Sequence, residues 1–301
     1  MERITFYEQI SSNKWKSFFL ILIVIVFLLL LGTVIGLIMG EGYFFIIMFF
    51  TVIFTIIYVL AGYYGADKIA IASVGAKEAS LQEFRQFHNT VEGLCLASGL
   101  PKPKLFVMED DDINAFASGR DPEHAVICVT TAALEKLDKQ ELEGVLAHEI
   151  SHIGNYDIRY MTLAAVLVGM VAMLSHIFLR SLFFGGGRRD NKGGAGFLIL
   201  VVVGIVLAIL APIFASLVQL AISRKREYVA DASAVKIMRS PTGLIRALKK
   251  LKGNPSTPHK RITKAVAPLF ISDPFNHNRQ ADSWLSTHPT LNNRIAILER
   301  M

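Results

Sequence analysis

The sequence predicts a mainly α-helical membrane protein with four apolar helices in two hairpins and an α+β soluble part that contains a small β-sheet. Hydrophobic residues make up 52% of the 301 residues and the mean hydropathy is +0.45, which is too apolar for an ordinary soluble domain. The apolar residues are concentrated in four long uncharged runs. Between the second and third runs, helix-type and strand-type hydrophobic patterns follow one another, as in an α+β domain.

The first predicted hairpin occupies residues 1–66. Residues 18–40 contain no charge and are long enough to cross a bilayer, and residues 43–66 form a second uncharged run after a short turn at Glu41 and Gly42. A cleaved signal peptide has a shorter apolar core, so we expect the first run to be retained. Lysine and arginine residues lie before the first run and after the second, so the positive-inside rule places both outer ends in the cytoplasm.

Residues 67–159 are predicted to form the first part of the soluble domain. Within them, residues 77–99 show the apolar spacing of an amphipathic helix. Residues 104–109 and 125–130 are short strand-type runs, with residues 113–117 between them. These runs predict a small sheet just ahead of the next helix.

Residues 160–223 contain the third and fourth apolar runs and form the second predicted hairpin. Basic residues lie both in the loop between the two runs and outside them, so the positive-inside rule gives no single orientation. A shallow or re-entrant hairpin is therefore the alternative to two complete spans. Either form returns the chain to its starting side, so residues 224–301, the predicted second part of the soluble domain, would share one membrane face with residues 67–159.

Charge and cysteine content exclude several classes of function. The net charge is +6 and the isoelectric point is about 9.3, but the basic residues lie beside the apolar runs, where anionic lipid headgroups explain them better than nucleic acid does. We therefore expect a lipid bilayer as a partner and no nucleic acid. The two cysteines, Cys95 and Cys128, cannot form a disulfide framework or a thiol-rich metal site, which fits a reducing cytosolic location.

The most informative motif is H-E-x-x-H, formed by His148, Glu149 and His152. On a helix of about 3.6 residues per turn, the two histidines lie one above the other and can bind one ion. Glu149 projects too far round the helix to be a natural ligand, but it can contact a water on that ion. Asp138 and Glu141 form a capping-box variant that would begin such a helix just before the motif. Neutral imidazole suits Zn²⁺, and we expect one zinc ion per chain.

A catalytic zinc has three protein ligands and an open position for water, so the two histidines need a third partner. Glu227 is the favoured candidate, because its segment is predicted to be helical and Asp231 then lies one turn further on the same face. Asp231 could accept a hydrogen bond from the second nitrogen of a ligand histidine and so fix its tautomer. The alternative is that both acids only balance the basic run at residues 224–226.

These motifs resemble those of the HtpX-type integral-membrane zinc endopeptidases, bacterial relatives of the CAAX prenyl protease and of the mitochondrial inner-membrane protease Oma. The resemblance covers nearly the whole chain, and it rests on the two apolar hairpins and on His148–His152, Arg226–Asp231, Asn114–Ala117, Thr287–Pro289 and Arg294–Ile295.

The resemblance implies a zincin-like (gluzincin) domain in which His148, His152 and Glu227 bind zinc and Glu149 is catalytic. It also implies a multi-pass protein of the bacterial inner membrane, with its termini and active site in the cytoplasm. The implied role is the cleavage of polypeptides, chiefly misfolded membrane proteins, in quality control under stress.

The mechanism follows from the proposed ligands. Zinc lowers the pKa of a bound water from ~15.7 toward ~7, and Glu149 would take the released proton and pass it to the leaving amine. The tetrahedral oxyanion needs a further donor, for which His288 is the candidate, with Arg294 supporting either His288 or Asp231. The alternatives are a turn histidine before Pro289 and an arginine on a helix surface.

An extended substrate could add to the free edge of the strand that contains Asn114, Ala115 and Phe116. The equally weighted alternative is a hairpin that only packs against the helix of the H-E-x-x-H motif.

Three other functions compete with this hypothesis. An intramembrane protease is disfavoured, because charged residues flank the H-E-x-x-H motif on both sides. A protease that processes prenylated peptides uses the same chemistry, and no feature of the sequence separates it. A zinc-binding membrane adaptor without catalysis would usually close all four metal positions with Cys or His, and no fourth ligand is evident.

Overall fold

The computed structural model describes residues 6–39, 41–166, 202–206, 224–253, 266–272 and 289–301. Over these residues the chain is mainly helical and contains a four-stranded mixed sheet, in agreement with the predicted class. The predicted second hairpin lies largely outside the described residues. Of residues 160–223 the structure describes 160–166 and 202–206, and both short segments are helical.

Helices α1 (Phe6–Met39) and α2 (Glu41–Tyr64) pack against each other. Both contain a stretch long and apolar enough to cross a membrane, at Ile10–Leu37 and Gly42–Tyr64. Large apolar side chains project outward along both helices, as at Phe45, which is 81% exposed. Apolar surface of this extent favours contact with lipid rather than with water.

Two details of the first hairpin differ from the prediction. Helix α1 begins at Phe6 instead of near residue 18, and Glu41 and Gly42 belong to α2 instead of a turn. No proline interrupts the early residues, and lysine side chains there can extend toward the headgroups while their stems stay on the helix.

The predicted helix over residues 77–99 is wrong at its start. After helix α3 (Ala66–Val74), residues Lys77–Glu78 form strand β1, and helix α4 spans only Arg85–Ser98. Main-chain pairing with the neighbouring strand outweighs the local helical spacing, as shown by the Ala79 N–H that donates to the Leu105 carbonyl at 2.8 Å.

The sheet follows the predicted strand positions closely. Strands β2 (Lys104–Met108), β3 (Ala115–Gly119) and β4 (Ala125–Thr130) join β1 in the order β1-β2-β4-β3. Strand β4 pairs parallel with β2 and antiparallel with β3, and every residue of β3 and β4 is buried. Strand β3 therefore lies at one edge of the sheet.

Helix α5 (Thr131–Lys136) leads into helix α6 (Lys139–Gly154), which contains the H-E-x-x-H motif. The predicted capping box is confirmed: the Glu141 N–H donates to the Asp138 carboxylate at 2.9 Å, and the Asp138 N–H donates to the Glu141 carboxylate at 2.8 Å. The motif is therefore on a helix with a defined start.

Helix α6 is the central element of the soluble part. It contacts α4, β3, helix α7 (Arg224–Met238) and helix α8 (Thr242–Gly253), and helix α9 (Leu291–Leu298) packs on α7 and α8. The approach of α8 is so close that a Cβ on Gly144 would lie 2.5 Å from the Leu244 nitrogen. Helix α6 is thus enclosed by protein on several sides, which fixes the position of its histidines.

Candidate metal centre

Helix α6 brings the imidazoles of His148 and His152 face to edge, with their Nε2 atoms 3.1 Å apart. Both side chains are buried, and each Nδ1 atom lies beside a carboxylate. His148 Nδ1 is 2.9 Å from Asp231 and His152 Nδ1 is 3.0 Å from Asp157. Carboxylates accept hydrogen bonds, so each Nδ1 atom carries a proton, and the two Nε2 atoms face the same point, where they can bind a metal ion or a further proton. Two lone pairs at this distance repel each other unless a cation or a proton lies between them.

Helix α7 supplies the third donor group. Glu227 is 1% exposed, and its two carboxylate oxygens lie 3.5 Å from His148 Nε2 and 3.5 Å from His152 Nε2. The ligand atoms of the three residues all lie within 4.8 Å of one another. A tetrahedral zinc with bonds of about 2.0–2.2 Å separates its ligands by roughly 3.3–3.6 Å. The donor types and their spacing therefore fit zinc.

Glu149 lies next to this donor set and is 1% exposed. Among the described residues its Oε1 atom has no hydrogen-bond partner. Burial raises the pKa of Glu149 and the Glu227 carboxylate acts in the same direction, whereas the two imidazoles oppose them. A buried carboxylate with a raised pKa and an unused oxygen is suited to exchange a proton with a water.

Arg294 of α9 is fully buried and holds Asp231 in a bidentate pair, with Nε–Oδ2 and Nη2–Oδ1 distances of 2.9 and 2.6 Å. Burial raises the pKa of Asp231, but the Arg294 charge outweighs it and the pKa lies below its usual range. Another nitrogen of Arg294 is 3.5 Å from Glu227. Support of His288 or of Asp231 was expected for Arg294, and the structure shows its contact with Asp231. The alternative of an arginine on a helix surface is wrong, because Arg294 is buried. His288 lies outside the described residues.

Three contributors on the other side of the site were not found from the sequence. Asp157 follows the end of α6 and faces His152, Asn13 of α1 donates to Asp157 at 2.7 Å, and Arg226 lies 3.9 Å from Asp157. The acid five residues beyond His152 was a local clue to Asp157. Nothing in the sequence relates Asn13 to a histidine more than a hundred positions later.

The residues predicted to line a substrate strand are all buried, and the chain itself contacts them. The Ile271 N–H donates to the Ala115 carbonyl at 2.9 Å, and the Asn114 side chain donates to the Ser272 carbonyl at 2.8 Å. The ring of Phe116 packs on Phe270 with centroids 4.8 Å apart. Residues 270–272 therefore cover this half of the β3 edge.

The remaining half of the β3 edge faces the site and a neighbouring helix. The Ala117 main-chain amide lowers the pKa of Glu149, and the Gly119 N–H donates to the Thr162 hydroxyl at 3.3 Å.

Comparison with known proteins assigns the chain to a family. The model of peptidase family M48 matches residues 81–301. Proteins named Protease HtpX homolog match over the whole chain: that of Thermoanaerobacter pseudethanolicus is 41% identical over 100% of this chain and 99% of its own length. The homologue of Dictyoglomus thermophilum is 42% identical over 100% and 96%, respectively.

A solved structure shares the fold. The crystal structure of S. mikatae Ste24p matches with a TM-score of 0.50 and 21% identity, covering 97% of this chain and 67% of that one. The match of the family model over most of the soluble part and the full-length relatives lead to one conclusion: the chain belongs to peptidase family M48 and is a metalloprotease.

Proposed function

We propose that the protein is a zinc-dependent endopeptidase that hydrolyses peptide bonds of membrane-protein substrates at the cytoplasmic face of the bacterial inner membrane. The observation that supports this most strongly is the convergence of the His148 and His152 Nε2 atoms, 3.1 Å apart, on the Glu227 carboxylate, with Glu149 beside them. A metal site that only stabilised the fold would have no use for a buried carboxylate oxygen without a partner among the described residues.

In this proposal each residue of the site has one task. His148, His152 and Glu227 would hold zinc, which supplies an acidified water and polarises the scissile carbonyl. Glu149 accepts the proton of the attacking water and returns it to the leaving amine. Asp231 and Asp157 keep the two imidazoles in the tautomer that presents Nε2 to the metal. His288 is retained as the proposed donor to the oxyanion.

We propose that an extended substrate pairs with the edge of strand β3 that residues 270–272 cover in the structure. Because Asn114, Ala115 and Phe116 are engaged by that segment, an extended peptide adds along these residues only after it has displaced the segment. Next to them, the main chain of Ala117 faces Glu149, so a peptide paired there would pass close to the proposed base.

The membrane location and the cellular role rest on different grounds. The exposed apolar faces of α1 and α2 support insertion into a membrane. Lys14 and Lys16 in the first turns of α1, before the uncharged run that begins at residue 18, and Lys68 after α2 support an orientation with both outer ends in the cytoplasm. The proposed quality-control role under stress rests on the resemblance to the HtpX-type endopeptidases, and a stress response is in keeping with the name Protease HtpX homolog of the full-length relatives.

The test compares the zinc content and casein cleavage of the purified full-length protein with those of three variants. Glu149→Gln should keep stoichiometric zinc and lose at least about a hundredfold in turnover, because the proton acceptor is gone. Glu227→Ala should lose both zinc and turnover. Glu143→Gln makes the same change on the outer side of α6 and should keep both. Turnover by Glu149→Gln would remove Glu149 from the mechanism, and wild type with zinc but no peptidase activity would favour the adaptor.

A further inference from the structure

Asn13, in the first turns of α1, is 1% exposed and lies beside the soluble part. Its side-chain amide donates to the Asp157 carboxylate at 2.7 Å and to the Asn155 main-chain carbonyl at 3.1 Å. Its carbonyl oxygen accepts from Arg226 at 3.4 Å. A buried amide whose donors and acceptor are used in this way holds its neighbours at fixed positions.

Asp157 is the link between Asn13 and the metal centre. It is 0% exposed, and its two oxygens contact different partners: Oδ1 accepts from Asn13 and Oδ2 lies 3.0 Å from His152 Nδ1. The contact with Asn13 limits rotation of the carboxylate, so Oδ2 stays directed at His152. The orientation of a metal-binding histidine depends on such a partner.

The turn that presents Asp157 is held from the same helix. Tyr156 has a φ of 59°, a left-handed conformation that is strained for a residue with a side chain and persists where its surroundings fix it. Asn13 binds the carbonyl that precedes Tyr156, and Lys14 lies 4.6 Å from the centroid of the Tyr156 ring. Two consecutive residues of α1 thus contact this turn, one at its main chain and one at a side chain.

We infer that Asn13 is a positioning residue of the metal centre, which acts through Asp157 to orient His152 and so makes metal affinity depend on the docking of the first apolar helix. The inference rests on the proposed function in that the ion bound is zinc. Helix α1 would then do more than anchor the protein in the bilayer, because its residue Asn13 also orients the metal-binding side chain of His152.

The test measures zinc affinity by competition with a chelator, using the full-length protein in detergent micelles. Asn13→Ala should weaken zinc about tenfold, at the low end of the range for outer partners of metal-binding histidines. Ser17→Ala is the matched control, since Ser17 is similarly buried on α1 and its hydroxyl, within the part of the chain that the structure describes, donates to the carbonyl of Asn13 in the same helix. This control should bind zinc as wild type does.

A double-mutant cycle separates positioning from general stability. In an Asp157→Ala background, Asn13→Ala should weaken zinc less than about twofold further, because its effect passes through the carboxylate already removed. A full additional tenfold loss would overturn the inference, as would unchanged affinity in Asn13→Ala. Wild type that binds no zinc would instead overturn the proposed function.

An exchange of the two groups covers the case in which Asn13→Ala does not fold. Asn13→Asp alone brings two carboxylates together and should weaken zinc. Adding Asp157→Asn restores one amide and one carboxylate to the pair and removes this repulsion, so the affinity should rise above that of Asn13→Asp, although the carboxylate at position 13 cannot donate to the Asn155 carbonyl. An exchange variant that binds zinc no better than Asn13→Asp would contradict the inference.

Discussion

The two histidines of the metal centre are supported by groups of the same kind but of very different strength. His148 is backed by Asp231, which forms a bidentate pair with Arg294 at 2.6 and 2.9 Å. His152 is backed by Asp157, whose nearest guanidinium nitrogen, on Arg226, lies 3.9 Å away. On this side the neutral Asn13 makes the short contact instead.

The pKa values of the two arginines move in opposite directions. Burial lowers the pKa of both side chains, but for Arg294 the attraction and hydrogen bonds of Asp231 outweigh burial and raise it. For Arg226 burial prevails, and two of its nitrogens have no hydrogen-bond partner among the described residues. Beside His148, the charges of Arg294 and Asp231 therefore compensate each other. Beside His152, the position of Asp157 depends on the neutral side-chain amide of Asn13 from α1.

The largest difference should appear when each arginine is replaced by methionine. Arg294→Met leaves Asp231 and Glu227 buried without their cation and should cost about 3–5 kcal/mol of unfolding free energy in the metal-free protein. Arg226→Met removes a poorly paired buried charge, so we expect a change of no more than about 1 kcal/mol. Denaturant or thermal unfolding in detergent measures both. Equal losses of unfolding free energy in the two variants would show that Arg294 and Arg226 do not differ in their contribution to stability.

A smaller effect is expected from the two supporting carboxylates. Asp157→Ala and Asp231→Ala should each weaken zinc about 10- to 100-fold, because each leaves one ligand histidine without its acceptor. Asp231→Ala should also destabilise the metal-free fold more than Asp157→Ala does, since it removes the bidentate partner of the buried Arg294. Chelator competition and thermal unfolding of the same samples separate the two effects. Asp112→Ala, at an equally buried carboxylate distant in sequence from both, should leave zinc affinity unchanged.

The smallest expected effect, per pH unit, is a pH dependence of zinc affinity that arises from the protonation of His148. Burial and the Arg294 charge lower the pKa of His148, but hydrogen bonds to Asp231 and Glu227 outweigh them and raise it to about 9. Zinc must then displace a proton at neutral pH. Its affinity should increase about tenfold per pH unit up to about pH 9 and level off above it.

The sign of the stability effect follows from the same pKa. Because the folded value lies above the unfolded value of 6.5, the contribution of protonated His148 is complete below pH 6.5 and is lost as the pH rises through about 9. The metal-free protein should therefore melt at a lower temperature at pH 9 than at pH 6.5. Asp231→Asn should reduce this dependence, and an unchanged dependence would assign it to another group.

Local features of the site could be predicted because helix geometry is set over a few residues. The spacing of His148 and His152, the capping box at Asp138 and the shared face of Glu227 and Asp231 all follow from a period of about 3.6 residues. The predicted start of α4 was wrong because residues 77–78 pair with strand β2 instead. A pairing between separate segments leaves no local pattern in the sequence.

The sequence by itself determined that two imidazoles would share one helix face and that two long apolar segments would favour a lipid environment. Only the tertiary structure brought Asn13 and Asp157 to His152 and showed that Arg294 pairs with Asp231. Asn13 lies 144 residues from Asp157, and Arg294 lies 63 residues from Asp231. Contacts over such separations depend on how helices and sheet pack together, and a hydrogen-bond partner brought near by packing leaves no periodic pattern in the chain.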